Sequence, residues 1–97
     1  MSIEKKALEE NIRSVLTDDI AREIVKFCKE SHTSSEIIDQ MLRKLSSMSS
    51  NRAWWERVVS DNLRRLENAQ VVTYMADGKW KMSSEAKTIL EKYFSGL

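Results

Sequence analysis

The chain contains no proline, and its only glycines are Gly78 and Gly96. Loops must therefore be short, or built from serine, asparagine and aspartate, because the strongest helix breakers are missing. It holds one cysteine, Cys28, and one histidine, His32. A disulfide within the chain is excluded, and no thiol–imidazole cluster exists to hold zinc or another soft metal. A single histidine leaves no nucleophile, base and orienting group together, and no glycine-rich phosphate loop is present. The expectation is a protein that is not an enzyme and carries neither cofactor nor metal. No apolar run approaches the roughly 20 residues that span a bilayer. The opening Met1-Ser2-Ile3-Glu4-Lys5-Lys6 lacks the apolar core of a signal peptide. A cytoplasmic protein with no membrane partner is expected.

What is there points to one globular domain over residues 1–97, because 41% hydrophobic and 32% charged residues suit neither a disordered nor a membrane chain. A formal net charge of +1 argues only weakly for a nucleic-acid partner, so the distribution of charge matters more. Residues 1–50 carry eight cations against nine carboxylates, whereas residues 51–81 carry six against four. The positive bias thus falls on the second segment.

Leu8, Ile12 and Val15 recur at helical spacing and predict a helix over 4–16. Thr17-Asp18-Asp19 interrupts it and supplies a new N-cap. A second helix to about Glu30 follows, with Ile20, Ile24, Phe27 and Cys28 on its apolar stripe. Cys28 there reads as a structural thiol, and His32 follows in a turn. Thr33-Ser34-Ser35-Glu36 has the capping-box pattern and starts a third helix burying Ile37, Ile38, Met41, Leu42 and Leu45. Ser46 to Ser50 breaks the pattern as a loop or frayed turn.

The fourth helix, about 51–68, is the most informative. Trp55, Val59, Leu63 and Leu66 make a core stripe. The opposite face carries Trp54, Arg57, Asp61, Arg64 and Asn68, with Ser60 and Arg65 at its margins. Val71 to Met75 is rich in β-formers, Asp77-Gly78 is a hairpin turn signal, and Lys79-Trp80-Lys81-Met82 alternates as a return strand. Ser83-Ser84-Glu85 caps a last helix over 84–95, with Ala86, Ile89, Leu90, Tyr93 and Phe94 apolar and Gly96 as its stop. The fold class is mostly α with a small β-hairpin, an α+β order. Trp55 and Trp80 are expected in the core.

From Asp61-Asn62-Leu63-Arg64-Arg65-Leu66-Glu67-Asn68-Ala69-Gln70-Val71-Val72 and Asp77-Gly78-Lys79-Trp80-Lys81-Met82-Ser83, the chain resembles winged helix-turn-helix regulators of prokaryotes and archaea. The nearest groups are the multiple-antibiotic-resistance, arsenical-resistance and phenolic-acid repressor-like ones. Thr33-Ser34-Ser35-Glu36-Ile37-Ile38 is similar to the start of the helix before their recognition helix. The resemblance implies a winged-helix core over 18–82 between extra terminal helices, with a recognition helix at 51–68 and a wing at 71–82. Three departures stand out. The stretch from Thr33 to Leu63 is longer by roughly three helical turns, so either the third helix is extended or the recognition helix begins early, at Asn51. Gln70 occupies the usual place of glycine. Asp61 lies on the presumed DNA face, where it must accept from a cytosine amino group or pair with Arg57 or Arg64.

Sequence-specific binding of double-stranded DNA, as a transcription regulator, is the function this implies. Arg57, Ser60 and Arg64 are the base-reading candidates, with Asp61 for cytosine, while Arg65, Lys79 and Lys81 would hold phosphates. Charge on an exposed helix is also simply what keeps a protein in solution. The alternative is a winged-helix docking module for another protein, with Trp54 as its interface anchor. With either function a homodimer through the terminal helices is expected. Metal sensing of the arsenical-resistance type is not expected without paired cysteines.

Overall fold

The computed structural model describes residues 2–93. Along them run α1 (Ser2–Val15), α2 (Asp19–Phe27), α3 (Ser34–Lys44), α4 (Arg52–Asn68), β1 (Val72–Tyr74), β2 (Trp80–Met82) and α5 (Ser84–Tyr93). The mostly helical α+β class expected from the sequence is what the chain adopts. Phe94 and Gly96, expected to complete the last helix, lie outside the described residues, as does the side chain of Tyr93.

The starts of α2, α3, α4 and α5 each have a polar side chain closing free amides. Asp18 Oδ1 accepts from the amides of Ile20 at 2.8 Å and Ala21 at 3.2 Å. Thr33 and Glu36 form the reciprocal capping box, at 2.8 and 3.2 Å. Asn51 Oδ1 accepts from the Trp54 amide, and Ser83 Oγ from the Ala86 amide. Of the two alternatives for the long stretch after Thr33, a helix starting at Asn51 is the one the chain adopts. α3 stops at Lys44, and residues 45–51 connect it to α4.

α2 is shorter than its sequence suggested, ending at Phe27 rather than near Glu30. The cause is a long-range hydrogen bond. The Cys28 carbonyl accepts from the Met82 amide at 2.8 Å, and His32 then pairs with Trp80 as an isolated antiparallel bridge, with bonds of 3.0 and 2.7 Å. A chain continuing as helix could not reach that bridge. The ribbon is thereby tied to the start of α3.

β1 and β2 pair antiparallel in the register Val72↔Met82, Thr73↔Lys81 and Tyr74↔Trp80. The turn is closed by the Gly78 amide donating to Met75 O at 2.9 Å and the Met75 amide to Lys79 O at 2.8 Å. Gly78 sits at φ +82°, the left-handed position such a three-residue turn requires. Val72 and Met82 point into the core, so Thr73 and Lys81 face solvent.

α4 ends without glycine, in a Schellman arrangement. Val71 N–H donates to Leu66 O at 2.8 Å and Gln70 N–H to Glu67 O at 3.0 Å, with Gln70 at φ +64°. A side chain in that conformation is strained by roughly 1–2 kcal/mol, and glycine recovers part of it against its looser unfolded state. Gln70→Gly is expected to raise the unfolding free energy by about 0.5–1 kcal/mol in urea denaturation. A loss of stability instead would mean that the Gln70 side chain contributes something beyond backbone shape.

The core joins Trp55, Val59, Leu63 and Leu66 of α4 to Ile24 and Val25 of α2 and Ile37 and Met41 of α3. Ile20, Phe27, Leu42, Leu45 and Trp80 are only partly buried, packed at its edge. α1 and α5 close over it. Their apolar stripes, Leu8, Ile12 and Val15 with Ala86, Ile89 and Leu90, are covered within one chain.

Candidate nucleic-acid interface

α4 buries one side and leaves the other bare because its apolar residues recur at 3.6-residue spacing. At about 100° per residue, positions 54, 57, 61, 64 and 68 fall within one narrow outward stripe. All five are exposed, as are Ser60 and Arg65 beside them. The guanidinium groups of Arg57 and Arg64 meet no carboxylate among the described residues. Asp61 pairs with neither of them among the described residues and is exposed. Arg65 is different. Its Nη1 lies 3.7 Å from Asp18 Oδ2, the carboxylate that caps α2 through its other oxygen. Pairs this exposed are worth about 0–1 kcal/mol, so Arg65 is tethered but not committed.

Lys81 is exposed on the outer face of β2, and Lys79 is half-buried two residues earlier. Asp77 Oδ1 accepts from the Lys79 amide at 3.1 Å, which fixes the turn and leaves the ammonium to solvent. The ribbon follows α4 after three residues and packs on it, so both lysines are held rigidly relative to the helix. The surface is only modestly positive, since Asp61, Glu67 and Asp77 lie among Arg57, Arg64, Lys79 and Lys81.

Trp54 is 39% exposed, with its ring edge-on to Trp55 at 4.8 Å and 83°. Trp55 is fully buried, and its Nε1 donates to the Ser49 carbonyl at 2.7 Å. The pair therefore splits its duties: one indole anchors the connection from α3, the other faces outward. Trp80 is partly covered, tilted against Tyr74 at 4.8 Å, with its Nε1 donating to Ser34 Oγ at 3.1 Å.

No family model, curated protein or solved structure matches the chain.

Three features of the site escaped sequence reasoning. Arg52 binds back to α3, pairing with Asp39, lying 3.5 Å from Glu56 and donating to Ser35 Oγ at 3.4 Å. Asn62 is buried at 6% exposure; its Nδ2 donates to Val58 O at 2.8 Å, and its Oδ1 has no partner. Its spacing, three after Val59 and four before Leu66, placed it in the core stripe, but its polarity hid it. The third is the bridge from His32 to the ribbon.

Away from α4, Glu23 joins α2 to α3 by accepting from Lys44 at 2.9 Å and lying 3.7 Å from Lys26. The Lys44 hydrogen bond, aided by both lysine charges, holds its carboxyl below the usual value of 4.5. A depressed folded value stabilises the fold fully above the unfolded value and is lost as pH falls through the folded one. Stability is thus expected to decline below about pH 4.5, and Glu23→Gln should flatten that decline in melts taken across the range. An unchanged pH profile would contradict the link. Burial pushes the Cys28 thiol up to about 12, which fits an inert core position. Among the described residues, no three His, Cys, Asp or Glu side chains converge as a metal site. No described helix is long and apolar enough to cross a membrane.

Proposed function

We propose that this chain is a winged-helix protein that binds double-stranded DNA as a transcription regulator, with α4 in the major groove and the β1–β2 ribbon on the backbone. The observation carrying this reading is the outward stripe of α4, where Arg57 and Arg64 pair with no carboxylate among the described residues, together with the exposed Lys81 and half-buried Lys79 of the ribbon that follows it. A helix with its side chains is about 10–12 Å across, close to the major groove's width of roughly 12 Å. Arginine can grip guanine with two parallel bonds there, and Asp61 can accept from a cytosine amino group. Ser60, one turn from Arg57 and Arg64, adds a short donor or acceptor. Lys79, Lys81 and Arg65 supply phosphate contacts that set register without reading sequence. The reading is one of recognition, not catalysis.

Selection of bound duplexes from a random pool tests it. Enrichment of a shared sequence supports the reading, whereas a pool left unenriched after repeated rounds removes it. The competing reading, a docking module for another protein, is favoured by Trp54 and Met48, exposed at 39% and 50% within a nearly balanced charge field.

In the DNA reading two copies pair through α1 and α5, which would hold two recognition helices about 34 Å apart on a palindromic site. Because the apolar stripes of these helices are already covered within one chain, the outward sides must supply that contact. Sedimentation at micromolar concentration is expected to give a dimer. A monomer throughout would remove the palindrome while leaving α4 as the reader.

A further inference from the structure

The leading end of α4 is unusual for a helix meant to meet a polar groove. Its first two turns expose Arg52, Ala53, Trp54, Glu56 and Arg57. Arg52 is engaged by Glu56 and by Asp39 of α3, so this cluster offers no free cation. What remains free is Ala53, Trp54 and Arg57. The indole packs at right angles against Trp55, which is fully buried and hydrogen-bonded to Ser49. Met48, on the connection just before, is half-exposed as well. An exposed apolar plate therefore precedes the first free arginine by one turn.

Helix-turn-helix proteins bring the N-terminal residues of the recognition helix to the base edges. Among the groups on those edges in the major groove, the apolar one is the C5-methyl of thymine. We propose that Trp54, with Ala53 beside it, reads a 5-methylpyrimidine in the major groove, next to the base gripped by Arg57. This rests on the proposal that α4 binds duplex DNA. Thymine and 5-methylcytosine offer the same methyl, so either would serve.

The test uses four defined duplexes of about 24 base pairs, a little over two helical turns. They are alternating dT–dG paired with dC–dA, the same duplex with uracil for thymine, alternating dG–dC, and the same duplex with 5-methylcytosine. Uracil and cytosine differ from their partners by one methyl, worth about fourfold in affinity when buried. Wild-type protein is expected to bind each methylated duplex about fourfold more tightly or better than its unmethylated counterpart. Trp54→Ala, checked for an unchanged circular dichroism spectrum, is expected to bind both members of each pair alike.

Equal binding of the dT and dU duplexes by wild-type protein overturns the proposal while leaving DNA binding intact. A methyl preference that survives in Trp54→Ala does the same. If wild-type protein binds none of the four, the DNA reading itself fails and takes this one with it. A Trp54→Ala variant that changes oligomeric state but no duplex affinity makes the indole a protein contact, and that too overturns methyl reading.

Discussion

Trp55→Ala is expected to lower the unfolding free energy by about 3–5 kcal/mol, the usual cost of emptying a large aromatic site. The indole is fully buried, and its N–H is the bond that holds Ser49 and the α3–α4 connection in place. Truncation removes apolar contact, leaves a cavity, and strands the Ser49 carbonyl to find water. Small domains hold only about 5–15 kcal/mol in total, so the variant should unfold at far lower urea, followed by far-UV circular dichroism. A loss below about 1 kcal/mol would mean that the connection closes over the gap and that Trp55 is not the anchor described. Trp54→Ala, at a site already open to solvent, should melt close to wild type.

The second large effect belongs to the arginines. Arg57→Ala and Arg64→Ala are each expected to weaken binding to a selected duplex by about 1–3 kcal/mol, the range for an arginine–guanine pair. Combined in one chain they should reduce affinity by roughly 30-fold or more, provided the two contacts add. Neither side chain pairs with a carboxylate among the described residues, so the folded state should lose little stability. Fluorescence anisotropy with the selected duplex reads the first effect and a thermal melt the second. Unaltered affinity in the double variant would move the binding surface elsewhere.

Local chemistry made most of the fold readable in advance. Asn51 and Asn68 bounded α4 because one caps it and the apolar stripe runs out at the other. The capping box at Thr33, the cap at Asp18 and the turn at Asp77-Gly78 each depend on neighbours a few residues apart. What stayed hidden depends on partners far along the chain. Cys28 and His32 bond to a ribbon some fifty residues away, and this, not propensity, ends α2. Gln70 shows a subtler limit: the Schellman geometry forms on a residue that pays strain for it, because the Leu66 and Val71 contacts outweigh the penalty.

The candidate site was legible to the same degree. Helical spacing alone placed Trp54, Arg57, Asp61 and Arg64 on one exposed face, and strand alternation turned Lys81 outward. Spacing could not say which charges find partners. Arg65 reaches Asp18 and Arg52 reaches Asp39, across contacts between helices that no local pattern encodes. The distinction matters chemically, because only the cations left over are free to displace counterions from a phosphate backbone.

Titrating wild-type protein against a labelled duplex at several salt concentrations reads those free cations directly. With Lys79 and Lys81 on phosphates, joined by Arg65 once it leaves Asp18, log K should fall linearly against log salt with a slope of about −2 to −3 per chain. Affinity indifferent to salt would mean that no phosphate is being neutralised, and the outward arginine stripe would not be a DNA-binding surface.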